Sequence, residues 1–317
     1  MLFFHSLMSF GQDPVRLKAM TYNLLNYRSY PSYCPSSSNN PIAKEGYLNE
    51  IVNYIDPHLL VCNELDGYNS TAHSRILTHA LNINGETRWE KTDLYTNGSS
   101  LVNGIYFDKN ILGLKSQGSI TKDISNQNLV RAIDVCEFYY KDSLLSIDPD
   151  TIFFTLFAAH FKAGSSSSDI NARDQETKAI MAYINANSIS ENYFLAGDLN
   201  MKKSQEIGFQ NLLNYSVSSI RFYDPENIPF TESAVDIITS SIEVKKLIAC
   251  IQFLITDEFT GIINLGSSNP CSEFVRYSAH KPEINKCSRS DVTKNLTFEI
   301  ATNASMDISL MEKIIKL

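Results

Sequence analysis

Four apolar runs, each closed by a polar side chain, set the pattern of this chain. Residues 151–159 read Thr-Ile-Phe-Phe-Thr-Leu-Phe-Ala-Ala and end at His160, a near-continuous β-branched and aromatic stretch of the kind buried on both faces of a sheet. Residues 192–196 repeat the arrangement. There Gly197 permits a tight exit, and Asp198 and Asn200 follow two apart, so a period of two points both side chains to the same side. Residues 17–23 form the first strand and bring Asn23 to its end, and residues 59–64 do the same for Glu64. Between them, residues 43–55 place Tyr47, Leu48, Ile51, Val52 and Ile55 on one helical stripe, stopped by Asp56-Pro57. A second helix is predicted over residues 169–187, capped by Ser168 or Asp169, with Ile170, Arg173, Thr177, Ile180, Met181 and Ile184 at helical spacing.

Composition narrows the picture. With 317 residues, 43% hydrophobic and 20% charged, and no repeat or long linker, residues 13–317 are expected to form a single α/β domain. The 27 basic and 35 acidic residues leave a net charge of −8, which argues against a broad basic surface for nucleic acid. A small cleft on an acidic body stays open. No apolar stretch approaches the ~20 residues that span a bilayer. Residues 1–12 hold a short apolar run ending Ser9-Phe10-Gly11-Gln12 and read as a signal-peptide remnant, which implies a secreted or periplasmic protein. Six cysteines, Cys34, Cys62, Cys136, Cys250, Cys271 and Cys287, fit one to three disulfides and show no zinc spacing. Cys62 and Cys136, on apolar strands, read as buried thiols.

The order strand-Asn23, helix, strand-Glu64, strand-His160, helix, strand-Asp198-Leu199-Asn200 resembles the endonuclease/exonuclease/phosphatase superfamily, the DNase I-like phosphodiesterases, from about Val15 to Ser241. Residues 103–110 resemble its central strand, and residues 129–132 the strand whose arginine, here Arg131, contacts phosphate. Residues 235–241 resemble its late strand, with Asp236 as the carboxylate that orients the final histidine. The stretch after His160, Lys162-Ala163-Gly164 and four serines, is similar to a bacterial secreted-type branch. The closing Ser-Asp-His motif is matched best by Ser278-Ala279-His280-Lys281-Pro282, where alanine replaces the aspartate, and alternatively by Ser290-Asp291-Val292, which lacks the histidine.

That resemblance implies a four-layer α/β sandwich, two mostly antiparallel sheets flanked by helices, and a monomeric divalent-metal-dependent phosphoesterase. Glu64 would anchor Mg²⁺ or Mn²⁺ with support from Asn23. Asp198 would activate water, Asn200 would hold the phosphate, and His160 and His280 would contact non-bridging oxygens or help protonate the leaving group. Asp236 would fix the His280 tautomer, and Asn23 and Arg131 would bind phosphate. The expected substrate is nucleic acid, DNA or RNA, outside the cytoplasm and without stable membrane insertion. Alternatives are a lipid or inositol phosphate phosphoesterase, and a degenerate binding domain, for which Ala279 speaks. Residues 165–168 read as a polar loop, since no G-x-S-x-G elbow surrounds them. Tyr27, Tyr30 and Tyr33 read as loop packing at a cleft rim, and His5, His58, His73 and His79 as structural.

Overall fold

The computed structural model describes residues 15–69, 71–141, 151–189, 192–217, 220–222, 235–239 and 296–301, with residues 15, 16, 235–239 and 296–301 described through their backbone. Residues 1–12, Ala279, His280, Ser290 and Asp291 therefore lie outside the described residues.

The elements run β1 (Val15–Tyr27), α1 (Pro41–Ile55), β2 (Leu59–Asp66), α2 (Thr71–Ile76), β3 (Trp89–Lys91), β4 (Leu101–Asp108), β5 (Leu112–Lys122) and β6 (Asn128–Tyr140). They continue with β7 (Phe153–His160), α3 (Ser167–Ala186), β8 (Tyr193–Asp198), α4 (Ile207–Leu213), β9 (Val235–Thr239) and β10 (Leu296–Ala301). One sheet has the order β10-β1-β2-β4-β3 and the other β5-β6-β7-β8-β9. Pairings are parallel at β1/β10, β1/β2 and β7/β8 and antiparallel at the other five.

Three apolar clusters stack these elements into four layers. Met20, Tyr22, Leu24, Leu60 and Cys62 pack under Leu48, Ile51 and Val52 of α1 and Ile76 of α2. Leu17, Ala19, Val61, Phe107, Phe138, Phe154, Leu156 and Ala196 fill the space between the sheets. Phe157, Ala159 and Leu195 meet Ile180, Met181 and Ile184 of α3 and Phe209 of α4. The result is a four-layer α/β sandwich, and the strand period of two divides its residues: in β1, Leu17 and Ala19 face the other sheet, while Met20, Tyr22 and Leu24 face α1. Each fully buried Leu or Phe contributes ~1.5–3 kcal/mol relative to exposure, so the inter-sheet cluster alone is a large part of what joins the sheets.

Local chemistry shifts both predicted helix starts. Asn40 Oδ1 accepts from the Ile42 and Ala43 amides and Pro41 occupies the first helical turn, so α1 begins at Pro41 and not at residue 43. Ser166, in the stretch expected as loop, caps α3: its side chain accepts from the Asp169 amide while Asp169 accepts from the Ser166 amide. Asp169 thus acts three residues inside the helix. Cys62 and Cys136 are buried free thiols, and Cys34 is disulfide-bonded. Among the described residues, no helix is long and apolar enough to cross a membrane.

Candidate metal centre

The sandwich interior changes character along the strands. Below lie Leu17, Ala19, Leu59, Val61, Ile105 and Phe107; the next inward positions are Thr21, Asn63, Asn103 and Asp134, all at most 3% exposed. Beyond this polar band come Asn23, His160 and Asp198, which share the inward alternation of their strands. Glu64 does not share it. Leu60, Cys62 and Leu65 all pack on the α1 side, so the alternation breaks between Cys62 and Leu65, where the β2/β4 register shifts. The β1/β2 register shifts at the same level, between Asn23 and Tyr27. These are bulges, which re-aim a side chain at the cost of local strain. Leu25, Asn26 and Glu64 accordingly take φ of 49°, 58° and 64°.

The turned Glu64 meets the ends of three other strands. Asn23 Nδ2 donates to Glu64 Oε1 at 3.0 Å and to Asp198 Oδ2 at 2.9 Å, bridging both carboxylates. The Asn26 amide donates to Glu64 Oε2 at 2.8 Å. His160 Nε2 stands 3.8 Å from Glu64 Oε1 and 4.0 Å from Asp198 Oδ2. One ligand atom from each of Glu64, His160 and Asp198 lies within 4.8 Å of the others. Burial pushes the Asp198 pKa up, and the nearby Glu64 charge adds to this while bonds from Asn23 and the Asn200 amide oppose it. Burial, helped by the Arg131 charge, holds His160 well below its ordinary value, so the imidazole is neutral at pH 7. Two carboxylates and a neutral nitrogen converge on one point with a single amide group between them. Such an acceptor-rich donor set fits a hard divalent cation.

The backbone around these groups is tightly held. Gly197 lies inside β8 opposite Ala159 with φ of 140°, and a Cβ there would sit 1.9 Å from the Ala159 carbonyl oxygen. Its role is close strand approach and not the tight exit predicted. Lys44 Nζ donates to the Leu24 and Leu25 carbonyls at 2.9 and 2.6 Å, propping the bulge of β1. The Lys162 amide donates to Glu176 Oε2 at 3.0 Å, and the buried Arg173 binds Glu206 and the Lys162 and Gly164 carbonyls.

Asn23, Glu64, His160 and Asp198 are therefore brought together. Asn200 is close but differently placed. β8 stops at Asp198, Asn200 takes φ of 51°, and its amide N–H returns to Asp198 Oδ1 at 3.0 Å. This Asx turn breaks the period of two, and one side-chain N–H goes to the Phe161 carbonyl at 3.2 Å. Arg131 Nη1 is engaged by the His160 and Phe161 carbonyls at 3.2 and 3.1 Å, so it braces the backbone that carries His160. The backbone of β9 sets Asp236 opposite Gly197. His280 lies outside the described residues. Tyr27 is buried in the core and donates to Glu45 at 2.6 Å, while Tyr30 and Tyr33 stay 46% and 59% exposed. His73 is buried edge-on against Tyr106, and His58 Nδ1 accepts from the Lys18 amide. Sequence reasoning passed over Asn63, Asn103 and Asp134. Their signal was a polar residue at an inward position of an otherwise apolar strand.

No protein-family model and no curated protein matches the sequence. Solved structures do match in fold. An endonuclease/exonuclease/phosphatase family protein from Bacteroides thetaiotaomicron is 15% identical, with 71% of this chain and 83% of that one covered and a TM-score of 0.45. The human Nocturnin catalytic domain with bound sulfate anion is 12% identical, with 70% and 79% covered and a TM-score of 0.46. A mannosyl-6-phosphatase from Bacteroides thetaiotaomicron is 16% identical, with 71% and 86% covered and a TM-score of 0.44. The likeness is one of architecture. The chemistry rests on the site.

Proposed function

We propose that this protein is a divalent-metal-dependent phosphoesterase that hydrolyses nucleic-acid phosphodiesters outside the cytoplasm. The convergence of Glu64, His160 and Asp198 around the Asn23 amide carries the reading. Glu64 and Asn23 would hold Mg²⁺ or Mn²⁺, with His160 and Asp198 at its margin. The cation supplies stabilisation for the negative charge that builds on non-bridging and leaving oxygens.

The chain's own residues do the rest. Asp198, whose Oδ1 is fixed by the Asn200 amide, accepts the proton of the attacking water through Oδ2. The Asn200 side chain has a second N–H for a phosphoryl oxygen. His160, neutral with Nε2 turned to the cluster, donates a hydrogen bond from Nε2–H to a non-bridging or leaving oxygen as charge builds there. Arg131 keeps His160 in place and adds positive charge beside the phosphate. Asp236 would orient His280 at the far wall.

Exposed aromatic side chains favour nucleic acid among phosphoesters. Tyr30 and Tyr33 stand on the β1–α1 connection and Tyr68, 75% exposed, just beyond β2. Such rings stack on bases irrespective of sequence. The disulfide at Cys34 favours an oxidising compartment. The test is an assay of the full chain with Mg²⁺ or Mn²⁺ against plasmid DNA, RNA, sphingomyelin and inositol phosphates. Cleavage of DNA or RNA supports the proposal; turnover of lipid or inositol phosphate alone replaces the substrate, and turnover of none leaves a binding domain.

A further inference from the structure

The polar band beneath the metal centre is an unexpected expense in a sandwich interior otherwise filled by Phe, Leu, Val and Ala. Asn63, Asn103 and Asp134 are 0%, 3% and 3% exposed, and a buried polar group costs free energy unless it is bonded. Most of theirs are bonded, to one another, to the backbone just before His160 and, from Asn103 Nδ2, to the Ala132 carbonyl at 3.4 Å, while Asn63 Oδ1 has no partner among the described residues. Asn63 Nδ2 donates to Asn103 Oδ1 at 2.8 Å and to the Ala159 carbonyl at 3.1 Å. Asn103 Nδ2 donates to Asp134 Oδ2 at 2.8 Å and to the Ala158 carbonyl at 3.1 Å. Burial pushes the Asp134 pKa up to about 8, so at neutral pH it serves as an uncharged acceptor.

The places these bonds join are informative. Asn63 precedes Glu64 on β2, and Ala159 precedes His160 on β7. The two strands belong to different sheets, with no backbone pairing between them. Backbone ladders fix Asn23 relative to Glu64 and His160 relative to Asp198, but only side chains can fix one pair relative to the other. An apolar contact sets that spacing loosely, since it has no direction. A hydrogen-bonded amide sets both distance and angle.

Resting on the metal-dependent reading above, we infer that Asn63, Asn103 and Asp134 form a cross-sheet strut that positions the ends of β2 and β7, and thereby Glu64 and His160, for divalent metal. They are positioning residues. Asn103 is the keystone, because it alone bonds to both of the others.

The test is calorimetric titration of Mn²⁺ into the full chain, with kcat and KM measured on the substrate that the wild type cleaves best. Asn103→Leu keeps the volume and removes both the donor and the acceptor. It should weaken Mn²⁺ binding at least ~10-fold, the usual effect of losing a partner behind a metal ligand, and lower kcat with KM little changed. Asp134→Asn retains a neutral acceptor and should stay within ~3-fold of wild type at pH 7 by the same scale. Should Asn103→Leu fail to fold, Asn103→Ser shortens the strut and should show the same direction. A folded Asn103 variant with wild-type Mn²⁺ affinity overturns the strut, as does Asp134→Asn binding as weakly as Asn103→Leu. If the wild type binds Mn²⁺ but cleaves no phosphoester, and the Asn103 variant loses the metal, the proposed function falls and the strut is supported. A wild type that binds no Mn²⁺ overturns both.

Discussion

Gly197 and Asp198 show how much of the site is decided by single side chains. Alanine at 197 would place its Cβ 1.9 Å from the Ala159 oxygen, at a φ of 140°. Backbone strain and overpacking each cost ~1–3 kcal/mol, so Gly197→Ala should destabilise by about 2–5 kcal/mol in a denaturant titration. A variant as stable as wild type would mean that β7 and β8 are not pressed together here. Asp198 is a different case, because on the proposed reading its carboxylate would serve both a cation and a water. Asp198→Asn keeps the shape and the Asn200 contact but removes the base. It should lower kcat at least ~10²-fold, the size of a general-base contribution, with the circular dichroism spectrum unchanged. Equal activity would remove Asp198 from the mechanism.

Elements bring those residues together, and at this scale the sequence was partly legible. The strands ending near Asn23, Glu64, His160 and Asp198 could be read because apolar runs and period-2 alternation are local signals. The four-layer architecture was implied by the family resemblance that the order of motifs carries. Three features were not legible. The bulge that turns Glu64 inward depends on β1 and β4 pairing beside β2; alternation alone sends this side chain toward α1. The Asx turn at Asn200 competes with strand continuation on nearly equal terms, and nothing in the sequence reveals that the His160 and Phe161 carbonyls lie in reach of Arg131. The start of α3 was misjudged for a simpler reason: four consecutive serines offer four caps, and Asp169 makes only Ser166 reciprocal. Ser166→Ala should therefore cost ~1 kcal/mol, a fall in Tm of about 1–2 °C for a chain of this length. Ser168→Ala should be nearly silent, and the reverse order of effects would put the cap elsewhere.

For the molecule as a whole, charge sets two dependences. The first is on pH. Asp134 has a folded-state pKa near 8 against ~3.9 in an unfolded chain. Below pH ~4 both states hold the proton; between ~4 and ~8 the unfolded chain gives it up while the fold keeps it, so this group's contribution to stability falls as pH rises. Asp134→Asn lacks the titration, and its Tm relative to wild type should climb from pH 5 to pH 8 and then level; a constant difference would show that Asp134 is ionised in the fold. The second dependence is on salt. A net charge of −8 repels a polyanion, and each phosphate neutralised by the protein adds ~0.9 to the slope of log K against log salt for duplex DNA. Two described cations near the metal cluster already hold backbone: Arg131 Nη1 on two carbonyls and Lys44 on two others. Binding should then rest on the metal, the Tyr30 and Tyr33 rings and a small number of phosphate contacts. For the Asp198→Asn protein with a DNA oligonucleotide, measured by fluorescence anisotropy between about 50 and 200 mM salt, the slope should be near −2 to −3, about three phosphates at most. A slope steeper than about −5 would require a broad cationic surface, and the picture of a narrow, metal-lined cleft on an acidic body would have to be given up.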